Sequence, residues 1–372
     1  MKRYGFNEIT LMQYITIIHG GQVGVGLLTL PREMAKTAGT DGWMAIVLGW
    51  AIAVITSLCI VAVMRRYPDD TILDLVRRLF GKWACRAAAV IWLAYFVAAF
   101  AAVLATSVSI TKVWVLSQTP AYMMVLLFLL PTVMVARSGI RILGRYAELV
   151  FYCSLAAPFF LIAPLKESHL VHILPLIKGE WSGVLQAVKL TAPSFLGFEV
   201  GFFLYPFLLR KERAYTGVVI ANTLSMIVFM LVIFSSNLFY SPDQIAEFTW
   251  PTLSLLKVIE FHFLERFDIV FLAFYLFLLS TTWTPLLMLA GHCASRLTGQ
   301  ADHAPHVYAI AGTVFAVSVF YFPAVQELRL MEQLWSRSGL VLAYATPFAL
   351  LLVLAVTNLI RKNRRTEGRE CG

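Results

Sequence analysis

His19-Gly20-Gly21-Gln22-Val23-Gly24-Val25-Gly26 sits in the middle of the first long apolar segment, Ile9–Met34. Four glycines in the seven residues from Gly20 to Gly26 make a poor membrane helix, because each weakens a helix by about 1 kcal/mol relative to alanine. The segment therefore reads as two half-helices joined by extended backbone. Backbone opened at membrane depth leaves N–H and C=O groups that lipid cannot satisfy, so it persists only where it is buried in protein or lines a cavity. The stretch is expected to form one wall of a small-ligand site near the bilayer midplane. The alternative is an unbroken helix whose glycines supply a close-packing face.

A second interruption favours the site. The sixth apolar span, about Ser182–Leu209, contains Thr191-Ala192-Pro193-Ser194-Phe195-Leu196-Gly197-Phe198-Glu199. Pro193 removes a helix hydrogen bond and pushes the residue before it out of helical geometry. Gly197 loosens the next turn. Gly/Pro-interrupted spans at corresponding positions of two halves point to an inverted-repeat transporter fold with a midplane site. The expected fold class is an all-α polytopic membrane protein of ten transmembrane helices, a 5+5 inverted repeat with helices 1 and 6 discontinuous. Residues 1–361 would form one permease-like domain, its repeats at about 9–164 and 182–360, with 362–372 a basic tail. The symmetry is argued from topology; the halves share no convincing residue-level identity.

Composition agrees. Of 372 residues, 59% are hydrophobic and 14% charged, whereas a soluble domain is nearer half and a quarter. Apolar runs of about 20 residues recur, each long enough to span a bilayer. The net charge of +9 belongs to loops, and no soluble domain carries a nucleic-acid footprint. Met1-Lys2-Arg3 is basic, but no short apolar region with a small-residue cleavage site follows, so no signal peptide is expected.

The other expected spans are Trp43–Met64, about Ala84–Leu116, Tyr122–Ala136, Leu143–Pro164, Ala214–Tyr240, Asp268–Leu297, Val307–Val325 and Gly339–Ile360. With the N-terminus inside, 20 of the 30 Lys and Arg residues collect at inner ends, which places both termini inside. Pro68–Lys82 reads as a short inner helix, capped by Asp70 or Thr71 and ended by Gly81. Thr252–Arg266 reads as an amphipathic helix on the outer surface. The five cysteines show no metal-ligand spacing and predict no disulfide.

The expected chemistry comes from the half-helix ends. Free N–H groups near Gly26-Leu27 form a positive dipole end that receives a carboxylate. Free carbonyls near His19-Gly20 and near Thr191-Ala192 accept from an ammonium group. Together they describe an α-amino acid, although a sugar or nucleoside could use the same backbone groups. Glu199, an acid in the middle of a span, is a counter-ion for a ligand amine or a protonatable coupling group, or else a first-turn Glu stabilised by the inner half-helix. Gln22 either touches ligand or braces the unwound backbone. His19 reads more readily as a packed core histidine. Ser280-Thr281-Thr282-Trp283-Thr284-Pro285 is a hydroxyl cluster before a proline. It either faces the first break or bonds its own i−4 carbonyls. Tyr95, Thr106, Ser107, Ser109 and Tyr344 are weaker candidates. Lys112 and Lys189 snorkel outward, and Glu148 pairs with Arg145 or Arg141. The ligand site therefore draws on Gly20, Gly21, Gln22, Gly24, Gly26, Thr191, Ser194, Leu196, Glu199, Thr281, Thr282 and Tyr344. Nucleophile–base, P-loop, HExxH and CxxC signatures are absent, so no enzyme, metal or cofactor is expected.

The chain resembles the B subunits of the endospore germinant receptors, the spore-germination branch of the amino acid–polyamine–organocation permeases. The segments that carry the resemblance are Ile9-Thr10 to Gln13, Gly24-Val25-Gly26 through Leu30-Pro31, and Ala38-Gly39-Thr40-Asp41-Gly42-Trp43. Tyr67-Pro68-Asp69-Asp70-Thr71 with Phe80-Gly81-Lys82 also fits, and the most specific stretch runs from Trp250-Pro251-Thr252-Leu253 to Arg266-Phe267-Asp268. The resemblance implies a LeuT/APC-like fold and a multi-pass protein of the bacterial endospore inner membrane. It implies a germinant-binding subunit, often for an amino acid, that signals to A-type and lipoprotein C-type partners. It also implies germinant contacts at Gly24, Leu196, Thr281 or Thr282, and Tyr344. The alternatives are an independent proton-coupled amino-acid transporter with Glu199 in the coupling path, or a non-binding scaffold whose breaks are relics.

Overall fold

The structure, a computed structural model, describes residues 7–162, 168, 172, 174–179, 181–257 and 267–357. The chain starts on α1 (Leu11–Gln22), whose first turn is closed by a reciprocal cap. Thr10 accepts the Gln13 N–H while the Gln13 side chain takes the Thr10 N–H, which satisfies two otherwise orphaned donors. After a short gap, α2 (Gly26–Ala38) leads through a tight turn at Gly39–Asp41 into α3 (Gly42–Arg65).

Thr71 and Asp74 form the same reciprocal cap on α4 (Ile72–Trp114), and Gly81, at φ +89°, ends its first two turns in a kink. The short helix expected over Pro68–Lys82 is therefore present, with Thr71 as its cap. Then come α5 (Ala121–Arg137), α6 (Ile140–Ser154), α7 (Ala157–Ile162) and α8 (Trp181–Thr191). A run of short turns through α9 (Gly201–Leu204) leads to α10 (Ala214–Phe239), α11 (Pro242–Glu247) and α12 (Pro251–Leu256). The last elements are α13 (Phe267–Thr298), α14 (Ala304–Phe320) and α15 (Val325–Gly339).

Among the described residues, five helical stretches are long and apolar enough to cross a membrane, and the bent pair Trp181–Phe195 and Phe198–Phe207 makes a sixth. α5 and α14 are shorter apolar helices. The core runs the length of the bundle and is rich in aromatics: Phe96, Phe100, Phe195, Phe198, Phe202, Phe203 and Phe229 are all buried.

Two expectations change. The last span begins at Val325, not at Gly339, because α15 continues through a π-helical turn, Leu340–Ala345, to Thr357 as one stretch. Glu327, Arg329, Glu332 and Arg337 hid its first half from a hydropathy reading. α12 packs against the bundle through the apolar face expected of that segment. Leu253, Leu255 and Leu256 are fully buried, and the Thr252 hydroxyl donates to the Leu27 carbonyl at 2.9 Å. Residues 258–266 of that expected helix, and the tail 362–372, lie outside the described residues. Glu148 takes the side-chain N–H of Gln13 at 3.1 Å rather than an arginine.

One backbone contact ties the two broken spans together at their far ends. The Ile9 N–H donates to the Phe207 carbonyl at 2.9 Å, and the Leu209 N–H donates to the Ile9 carbonyl at 3.1 Å. The segment entering α1 and the end of the bent pair are thus paired as in a parallel β-bridge.

Candidate functional site

The two interruptions lie against each other. A Cβ placed on Gly197 would meet the Gly21 carbonyl carbon at 2.6 Å and the Gln22 nitrogen at 2.8 Å. Gly197 also sits at φ +126°, a conformation that L side chains rarely adopt. No other residue type meets both demands.

The first break is narrower than expected. Helical geometry persists through Gln22, and the opened backbone is Val23–Val25. Gly20 and Gly21 are helical and serve close packing: Gly20 lies on the Thr281 side chain and Gly21 on Gly197. The glycine run thus does both of the things weighed for it, packing at its start and opening at Gly24.

Four of the carbonyls freed there are engaged. The Val23 N–H donates to His19 at 2.9 Å and the Gly24 N–H to Gln22 at 2.8 Å. From α13, the Thr282 hydroxyl donates to the Gly20 carbonyl at 2.7 Å and the Tyr275 hydroxyl to the Gly24 carbonyl at 2.7 Å. The ammonium receptor expected at His19-Gly20 is therefore already filled by the protein's own groups. The donor side differs. The N–H groups of Val25 and Gly26 have no acceptor among the described residues, and they form the positive end of α2.

The second break falls at Leu196–Gly197, later than Pro193. Pro193 occupies the start of a 3₁₀ turn, Ala192–Phe195, where a missing N–H costs nothing. Leu196 is extended, and the chain bends by 47°. Side chains close this break from both sides. The Tyr344 hydroxyl donates to the Ala192 carbonyl at 2.9 Å and the Gln22 amide to the Phe195 carbonyl at 3.0 Å. The Gly197 N–H donates to one oxygen of Glu199 at 2.6 Å, and the Tyr95 hydroxyl to the other at 2.7 Å. Glu199 is fully buried, so its two oxygens are spent on the break itself. Gln22 also donates to Asn222 at 2.7 Å and accepts from Ser225 at 2.6 Å, and Ser225 in turn meets His19 Nδ1 at 2.9 Å. Its whole amide is engaged in bracing.

A cavity of about 130 Å³ opens beside the crossing. Its lining combines Gly21, Gln22, Gly24, Val25 and Gly26 from the first break with Pro193, Ser194 and Leu196 from the second. Thr29, Leu30 and Glu33 of α2, Val103 of α4, Leu190 of α8, and Glu332 and Trp335 of α15 complete the wall. It adjoins a vestibule of about 440 Å³ that shares Val25, Thr29, Glu33, Leu190, Pro193 and Glu332 and adds Arg32, Lys36, Lys189 and Arg329.

Six of the twelve expected site residues line the cavity: Gly21, Gln22, Gly24, Gly26, Ser194 and Leu196. The other six stand behind the wall. Gly20, Thr281 and Thr282 pack against one another, Thr191 bonds the Val188 carbonyl and faces Gly49, and Glu199 and Tyr344 hold the second break. The Ala192 carbonyl expected to take an amine accepts from Tyr344 instead. Sequence reasoning missed Glu33, Glu332 and Trp335. Glu332 and Trp335 fall in the charged stretch between the last two expected spans, and Glu33 lies at the end of the first.

The sequence pattern of the spore germination protein family, of spore-permease type, matches residues 8–326. Spore germination protein YndE of Bacillus subtilis is 25% identical over 358 residues, covering 90% of this chain and 98% of that protein. Spore germination protein GerQB of Bacillus cereus is 25% identical over 256 residues, covering 69% and 71%. Spore germination protein B2 of Bacillus subtilis is 24% identical over 281 residues, covering 75% and 74%. Among solved structures, MHP1 matches with a TM-score of 0.61 at 14% identity, over 92% of this chain and 78% of that one. MHP1 is a nucleobase-cation-symport-1 family transporter, seen in a closed conformation with bromovinylhydantoin bound. At that identity the likeness speaks for the fold alone. With the family pattern spanning most of its length and apolar helices crossing its core, this chain is a multi-pass membrane protein that belongs to the spore germination protein family.

Proposed function

We propose that the protein is the germinant-binding membrane subunit of a spore germination receptor, and that its ligand is a small zwitterion, an α-amino acid, bound where the two broken helices cross. The observation that carries this reading is the pair of unengaged N–H groups, Val25 and Gly26, at the start of α2 beside a cavity of about 130 Å³. Helix N-termini of this kind bind carboxylates. The volume admits on the order of ten water-sized atoms, the scale of an amino acid. The basic vestibule, with Arg32, Lys36, Lys189 and Arg329, draws an anionic group inward.

In this reading the chain has ten spans in a 5+5 inverted repeat and both termini on the inner side of the endospore inner membrane. Ligand shifts the bundle between two states through its different affinity for each, and A-type and lipoprotein C-type subunits respond. The transporter-type fold favours a second reading, an independent proton-coupled amino-acid transporter.

A thermal-shift screen of the purified chain against amino acids, nucleosides and sugars tests the proposal, with Gly24→Leu as control. Binding adds stability as RT ln(1 + [L]/Kd), so a weak ligand registers at millimolar concentration. Protection by an amino acid that disappears in Gly24→Leu supports the site, and protection that survives the substitution removes it. Uptake into liposomes by this chain alone would replace the receptor reading with the transporter.

A further inference from the structure

Resting on that reading, we infer that Glu332 is the residue that takes the ligand's cationic group, and so selects amino acids over carboxylic acids that lack the amine. The inference begins with elimination inside the cavity wall. A bound ammonium needs acceptors, and several of the backbone acceptors at the crossing are already engaged. The Gly20 and Gly24 carbonyls receive Thr282 and Tyr275, and the Ala192 and Phe195 carbonyls receive Tyr344 and Gln22. The Glu199 carboxylate holds Gly197 and Tyr95, and the Gln22 oxygen holds Ser225.

Two acids remain in the lining, Glu33 and Glu332. Glu33 lies on α2 itself, seven residues past Gly26, which puts its backbone about 10 Å up the helix axis from the N–H groups that would hold the carboxylate. It stands between Arg32 and Lys36 at the vestibule. Glu332 comes instead from α15 and lines the cavity and the vestibule alike. It is half-buried and held in place, because the Thr106 hydroxyl of α4 donates to its Oε1 at 2.8 Å. Its Oε2 takes no hydrogen bond among the described residues. Arg329, one turn earlier on α15, lies at the vestibule, with no ion pair to Glu332 among the described contacts. A carboxylate with one oxygen anchored and the other open, on the wall of a cavity that also holds the positive end of α2, supplies the second pole that a zwitterion requires. Thr106 is a positioning residue, fixing the carboxylate without touching ligand.

The experiment uses the full chain as wild type, Glu332→Gln and Thr106→Val. The probes are the proteinogenic L-amino acids and, for each one that protects, the carboxylic acid of the same skeleton lacking the α-amine. The readouts are melting temperature and the affinity taken from its concentration dependence. Glu332→Gln keeps an oxygen for Thr106, so its melting temperature without ligand should match wild type. Its affinity for the amino acid should fall about tenfold or more, the loss expected for a charge-assisted hydrogen bond. Its preference for the amino acid over the des-amino acid should collapse. Thr106→Val should lose part of the same preference. If Glu332→Gln binds the amino acid and rejects the des-amino acid as wild type does, the assignment of Glu332 is wrong while the site stands. If no amino acid protects the wild-type chain, the amino-acid reading itself fails, and this inference with it.

Discussion

The two breaks are built from the same device and finished in different ways. At Leu196–Gly197 three of the freed groups are closed by side chains of the protein. Glu199 takes the Gly197 N–H, Gln22 takes the Phe195 carbonyl, and Tyr344 takes the Ala192 carbonyl. At Val23–Val25 the groups closed by side chains are two carbonyls, Gly20 by Thr282 and Gly24 by Tyr275 of α13. The N–H groups of Val25 and Gly26 have no acceptor among the described residues, and both residues line a cavity. An unpaired buried backbone group costs about 1–3 kcal/mol, so the break held by Glu199, Gln22 and Tyr344 is a structural brace. The half-satisfied one holds unused bonding capacity that a ligand can take up. Opened helix alone therefore does not mark a binding site; the groups left unpaired after folding do.

Gly197→Ala strikes the point where the breaks meet. Its methyl would lie 2.6 Å from the Gly21 carbonyl carbon at φ +126°, and strain with overpacking should cost about 3 kcal/mol or more. Thermal unfolding in detergent should show a sharply lowered midpoint. An unchanged midpoint would mean that the two backbones are not in contact, and the comparison would lose its geometry.

Glu199→Ala comes next. It strands the Gly197 N–H and the Tyr95 hydroxyl in a fully buried place, and the expected cost is about 2–4 kcal/mol. Ligand affinity, measured below the melting transition, should change little. A stable variant with abolished ligand response would make the second break a binding element and erase the contrast.

Gly24→Leu has the opposite profile. Its Cβ would stand 3.3 Å from Thr282 with the rest of the side chain at the cavity. The stability cost should be about 1–2 kcal/mol, with ligand protection lost entirely. Titration of the variant with the ligand found for wild type checks this.

The smallest effect belongs to Thr282→Val, which frees the Gly20 carbonyl and should cost about 1 kcal/mol. Ligand affinity should stay within a few-fold of wild type, as α13 closes the break from behind the cavity wall. Loss of binding with an unchanged midpoint would place that carbonyl in the ligand's path and revive it as the ammonium receptor.

Much of the fold was legible because its signals are local. Long apolar runs, the cap at Thr71 and the kink at Gly81 each depend on a few neighbouring residues. The start of α15 was not, because its charged residues read as loop until α4 and the crossing are placed beside it. The candidate site divides the same way. Gly24, Gly26, Ser194 and Leu196 were named from the breaks and line the cavity. Glu33 and Glu332 complete the wall through helix packing that no spacing rule encodes.

From the sequence alone came the membrane class, the two interruptions and the glycines that permit them. Helix propensity, proline geometry and hydropathy act over one turn of chain, so they can be read along it. Which groups of an opened backbone stay unpaired was decided only by tertiary structure. The partners that close them, Tyr344 to Ala192, Thr282 to Gly20 and Tyr275 to Gly24, lie 152, 262 and 251 residues apart. A hydrogen bond acts over about 3 Å of space, and no local pattern records that approach.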